Sequence, residues 1–331
     1  MFFLRIVLTF IYIVILSLET VESDTNTDLS KYLPEFITGY ETDDYSYYDE
    51  DEYNENYWQG NYDDIKPEDS SRGSAVTPDG KTVVVSIFVS EHKYKWDYDS
   101  DSDKEKISDI NKYLGIAGDY IEDVVHDYGK EAEFVTDFVE NPDLMYTVTL
   151  DEDMTNTDYV DSPAWEYIDS NVASEEIKEK YQADNVIYFM LFNTNKKSDS
   201  ISCTRNWYTG MDYPYEVVYL YNMDYGMTNC PAVYAHEMLH TFGAPDLYQV
   251  SKDFQIHKDF VNYVEENLPN EIMLTCSDYR TGEYDYEKVT NEVSDLTAYY
   301  IGLIDDCDIV NEHHLAFSEH DARFIYNKYG W

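Results

Sequence analysis

Residues 235 to 248 read AHEMLHTFGAPDLY, and they carry side chains that bind metal ions and move protons. His236 and His240 stand four apart, so on an α-helix their imidazoles lie one above the other on a single face. Two imidazoles placed that way can hold one zinc ion, and a glutamate beside the first, Glu237, can act as general base on water. A catalytic zinc also needs a third protein ligand and an open position. Gly243 lies three residues past His240 and can take positive φ, which ends a helix and reverses the chain. Asp246, three residues further on, then reaches back to the same ion. The expected set is therefore His236, His240 and Asp246 around Zn2+, with Glu237 catalytic.

At these residues the chain resembles the metzincin-like zinc metalloproteases whose third ligand is aspartate, the immune inhibitor A and snapalysin types, with their HExxHxxGxxD pattern. The run HTFGAPDLY is similar to the former, in which G-x-P-D-x-Y follows the second histidine. Ordinary metzincins carry a histidine where this chain has Asp246. The resemblance is specific over about fourteen residues and diffuse from Val83 to Leu303. It implies a zincin-like catalytic domain that hydrolyses peptide bonds through a zinc-activated water. It also implies a methionine-bearing turn beneath the metal, for which Met273 in Asn270-Glu271-Ile272-Met273 is the candidate; Met273 serves equally as plain core.

A competing third ligand lies further along. Thr290 to Asp295, TNEVSD, resembles the N-E-x-x-S-D helix of thermolysin-like enzymes, in which the glutamate binds zinc. Glu292 would take that part, although Glu292 and Asp295 are three apart, one short of that pattern. Tyr248 and Tyr279 are candidate phenols for a developing oxyanion. His257, His313, His314 and His320 read as surface histidines.

The elements that must position this chemistry follow from periodicity. Pro231 suits the first turn of a helix, so the helix bearing His236 is expected from Pro231 to Gly243. Thr82 to Ser90, Asn185 to Asn193 and Tyr215 to Tyr221 are short, nearly continuous apolar runs of the kind that form buried strands, and Tyr146 to Leu150 alternates as a weaker one. Helical spacing runs from Asp103 to about Gly129 as one helix or two broken near Gly115 and Gly118. Further helices are expected at Ser174–Gln182, Lys258–Leu268, Val293–Leu303 and, capped by Ser318, Glu319–Lys328. The fold class is α/β of the α+β kind, a mixed sheet packed on long helices. Asp97 to Asp103, DYDSDSD, lacks the turn glycine and closing glutamate of an EF-hand and reads as a solvated loop capping the next helix.

Three segments are expected. Residues 1–23 have the layout of a secretory signal peptide: one positive charge in Met1–Arg5, an apolar run from Ile6 to Leu18, and compact residues before a cut after Ser23. That run is shorter than the ~20 residues a spanning helix needs, so no stable membrane anchor is expected. Residues 24–74 form an acidic, Tyr-rich segment too poor in aliphatic residues to offset its ordering entropy, read as a disordered linker or a pro-region. Residues 75–331 form the catalytic domain. The four cysteines, Cys203, Cys230, Cys276 and Cys307, bracket the HEMLH helix and are expected as disulfides in an oxidising, extracellular setting. Acidic residues outnumber basic ones 68 to 22, a formal net charge of −46, which disfavours nucleic acid and anionic membranes as partners. The expected partner is a protein or peptide substrate of a secreted zinc endopeptidase. The alternative is a secreted acidic binding or surface protein with a structural or vestigial zinc site.

Overall fold

A computed structural model describes residues 77–151, 161–197, 201–205, 215–224, 226–251 and 254–315. The signal peptide, the acidic Tyr-rich segment and the helix expected after Ser318 lie outside these described residues.

The described residues are organised around a mixed sheet. Strand β1 (Gly80–Ser90) is the hub: β2 (Ala132–Val135), β3 (Met145–Thr149) and β4 (Asn185–Phe192) all pair with it in parallel. Strand β4 then pairs in parallel with β6 (Val217–Tyr221), whose other side carries the short β5 (Cys203–Arg205), antiparallel, with Thr204 opposite Val218. The path reads β2-β1-β4-β6-β5. Every residue of β4 and β6 is buried, as is nearly all of β1. Strands covered on both faces have no polar side to show, which is why their sequences are apolar runs without alternation. After β6 a small hairpin of β7 (Met223–Asp224) and β8 (Met227–Thr228) leads into the next helix.

Seven α-helices are present among the described residues: α1 (Asp101–Asp127), α2 (Asp161–Asn171), α3 (Ser174–Tyr181), α4 (Pro231–Thr241), α5 (Lys258–Asn267), α6 (Asp295–Tyr300) and α7 (Asp308–His313). Helix α1 packs against α4, and α4 rests on β5 and β6. The long helix is unbroken at its glycines. A Cβ on Gly118 would stand 3.0 Å from Phe134 Cβ and 3.1 Å from Thr136 Cγ2, so glycine there lets helix and strand approach closely. In the first turn of α1, Asp103 accepts hydrogen bonds from the Asp97 N–H and the Asn193 amide and pairs with Lys106 at 2.8 Å. The acidic run is thus tied off by its own chain, although Ser100 at the helix N-cap makes no side-chain capping bond.

The cysteines correct one expectation. None of the four is joined in a disulfide. The physical reason is where the fold puts them: Cys230 and Cys307 stand at the N-caps of two different helices, Cys203 opens strand β5, and Cys276 follows a turn. The Cys230 thiol donates to the Cys276 carbonyl at 3.5 Å instead of bonding to sulfur, and burial, with Cys276 beside it, pushes that thiol up to about 12. The site is braced by hydrogen bonds, and the cysteines no longer argue for an oxidising compartment. No helix among the described residues is long and apolar enough to cross a membrane.

Candidate metal centre

Helix α4 begins at Pro231, where the missing N–H costs nothing, and is apolar on nearly every side because it is buried between α1 and the sheet. His236 and Glu237 are 6 % and 4 % exposed. The helix stops as its sequence requires. Gly243, at φ +106°, lets its own N–H reach His240 O at 3.0 Å and the Ala244 N–H reach Leu239 O at 3.2 Å, the paired bonds of a Schellman ending. That reversal turns the Ala244 carbonyl onto His240 Nδ1 at 2.6 Å and brings Asp246 back over the helix. Gly243→Ala forces a side chain into this conformation and is expected to cost about 1–3 kcal/mol of stability; urea unfolding of the metal-free protein measures it.

Three ligand atoms converge. His236 Nε2 and His240 Nε2 are 3.1 Å apart, and Asp246 Oδ1 lies 3.3 Å from the first and 3.2 Å from the second. A tetrahedral ion bound at zinc-like lengths sets its ligand atoms about 3.3 Å from one another. The chemistry of the trio fits such an ion as well as its spacing does. Each imidazole engages a backbone carbonyl through Nδ1, His236 to Ile272 O at 2.9 Å and His240 to Ala244 O. With the proton held on Nδ1, both Nε2 lone pairs point inward. Asp246 Oδ2 accepts from the Gln249 amide at 2.7 Å, which leaves Oδ1, buried, to face the two nitrogens. The described residues contain one group of three or more His, Cys, Asp or Glu side chains fit to hold a metal ion, and this is it.

The surrounding field favours positive charge at this point. Burial alone would raise the Asp246 carboxyl, but His236 and His240 against it hold it far below the usual carboxylate range. Burial likewise disfavours a charged imidazole at His236, yet Cys276, Asp246 and Glu237 together draw it well above its ordinary value.

The floor of the site is the turn at 270–275. Ile272 supplies the carbonyl that orients His236, and the carbonyl of buried Met273 accepts the Leu247 N–H at 3.0 Å, one residue from Asp246. Met273 is thus core by its side chain and a brace by its backbone. The turn is clamped by the segment that resembled a ligand helix. Glu292 exchanges backbone hydrogen bonds with Asn270 and Ile272, both at 2.9 Å, while the Asn291 amide donates to Thr275 O and Ser277 O. Glu271, buried, accepts from the Ser294 N–H and the Thr297 hydroxyl. The Glu292 side chain lies outside the ligand group and lines a different recess with Tyr279 and Arg280. Its backbone, rather than its carboxylate, serves the histidines.

Glu237 follows His236 on α4, and its Oε2 accepts from the Thr204 hydroxyl at 2.8 Å. Tyr248 is half exposed, its ring nearly parallel to that of His236 with centroids 6.4 Å apart. Burial, and then Asp246, keeps its phenol protonated far above the ordinary range. Tyr279 takes a bond from Arg280 Nε at 2.7 Å in the other recess, which leaves Tyr248 as the phenol beside the triad. His257 stands at the N-cap of α5, and His313 packs on Phe260 and Tyr263, away from the group of three. Sequence reasoning did not find Thr204, nor the carbonyls of Ile272 and Ala244. A threonine in a three-residue strand carries no periodic signal, and carbonyls carry no residue type at all.

No protein-family model matches the chain, and comparison with curated proteins and with solved structures gave no significant match.

Proposed function

We propose that this chain is a zinc-dependent endopeptidase with a zincin-like catalytic domain, related to the metzincin-like enzymes that use aspartate as third ligand, and that it acts outside the cell. The observation that carries this reading is the three-ligand group with a glutamate next to its first histidine on the same helix. Structural zinc is usually closed off by four protein ligands, whereas three ligands leave a position for chemistry. His240 and Asp246 are partly exposed, which supports access to that position from solvent.

Zinc held there supplies the Lewis acidity that polarises a scissile carbonyl and makes water a nucleophile at neutral pH. The protein supplies the rest. Glu237 takes a proton from the attacking water and returns it to the leaving amine. Tyr248, kept protonated, donates to the oxygen on which charge develops. The net charge of −46 favours cationic stretches of a polypeptide as substrate.

The test is cleavage of labelled casein by the purified chain. Activity is expected with one zinc per chain, to disappear on treatment with a chelator, and to return on adding zinc. Undiminished cleavage in the chelator, or none by the zinc-loaded protein, removes the reading and leaves the acidic binding protein as its successor.

A further inference from the structure

Strand β5 is three residues long and antiparallel to β6, with Cys203, Thr204 and Arg205 opposite Tyr219, Val218 and Val217. Side chains alternate along a strand, so its middle residue points to the opposite face from its neighbours. That face is covered by α4, and Thr204 meets Glu237 there. Its hydroxyl stands 2.8 Å from Glu237 Oε2 and 2.9 Å from Glu237 O. One hydrogen therefore serves two acceptors of the same residue.

We infer that Thr204 is a positioning residue for Glu237, its hydroxyl holding one carboxylate oxygen so that the other is presented to the attacking water. The inference rests on the hydrolase reading above for its catalytic part and on geometry alone for the contact. The two acceptors seat the hydroxyl in this buried corner and tie the Glu237 carboxylate to its own helix, which matters because an orphaned buried acceptor costs more than a made bond gains. A valine has the same shape without the donor, and a serine has the donor without the methyl.

The experiment has two arms. In the first, metal-free wild type, Thr204→Val, Glu237→Ala and the double variant are unfolded in urea. Coupling of roughly 3- to 30-fold in the unfolding equilibrium constant is expected between the two positions. Additive effects overturn the inference, whatever the activity. In the second arm, zinc-loaded wild type, Thr204→Val and Thr204→Ser are assayed on labelled casein, with zinc content measured alongside. For Thr204→Val the expected result is a loss of roughly 10- to 100-fold in kcat, with KM within about twofold, zinc content unchanged, and most of the loss restored by serine. A valine variant as fast as wild type, or a serine variant as slow as valine, overturns the positioning role. Coupling in the first arm with no hydrolysis by wild type in the second leaves the hydrogen bond standing and overturns the hydrolase reading, and with it the catalytic part of Thr204.

Discussion

Glu237→Gln is expected to fold, to keep one metal ion per chain, and to lose hydrolysis by roughly 100- to 10,000-fold, the range that a positioned general base contributes. The substitution is close to isosteric. It keeps an oxygen acceptor for the Thr204 hydroxyl, so the hydrogen bond at 2.8 Å has a successor. Glutamine lacks the carboxylate that accepts a proton from water, and that is the property under test. His236, His240 and Asp246 converge without any contribution from Glu237, so metal content serves as an internal control. It is measured by elemental analysis, and activity on labelled casein in the same preparation. Retained metal with retained activity would exclude Glu237 as the base.

Asp246→Ala has the second large effect, and it falls on the metal itself. Asp246 Oδ1 closes the triangle with the two imidazoles at 3.2 and 3.3 Å, and its other oxygen is held by Gln249. Losing a partner that merely orients a ligand costs about 10- to 100-fold in affinity; losing the ligand is expected to exceed that range. Competition against a chromophoric chelator measures it. Glu292→Ala is the matched control. Its backbone bonds to Asn270 and Ile272 survive the substitution, and its side chain lies outside the ligand group, so metal affinity is expected to stay within about threefold of wild type. The opposite pattern, metal lost with Glu292 and kept with Asp246, would return the thermolysin-like alternative.

The parts of this protein that could be read from its sequence are those governed by local rules. The strands β1, β4 and β6 are apolar runs because both their faces are covered, and helix α4 begins at a proline and ends at a glycine for reasons internal to the helix. The parts that could not be read depend on contacts between distant residues. Glu292 looked like a ligand because its neighbours echo a motif, and only the pairing of residues 270–272 with 292 turns it into a clamp. The bracketing cysteines suggested bridges because spacing carries no distances. Gly115 and Gly118 left one helix or two open, and the single unbroken helix is the outcome, with Gly118 packed closely against Phe134 and Thr136. Thr204 left no signal at all, since its importance comes from the helix that happens to lie across it.

The two imidazoles are oriented by carbonyls from separate places, Ala244 in the reversal after α4 and Ile272 thirty-six residues along from His236. A chain in which either segment is undocked still has its histidines but not their tautomer, their aim or the third oxygen. Such a chain competes poorly for metal. Each tenfold excess of free metal over its dissociation constant therefore adds about 1.4 kcal/mol to the folded state alone. For a chain that takes up an ion there, uptake and completion of the fold would be a single thermodynamic event. Under the proposed function, metal supply would then act as a form of quality control, deciding what fraction of newly made molecules persists as well as what fraction is active.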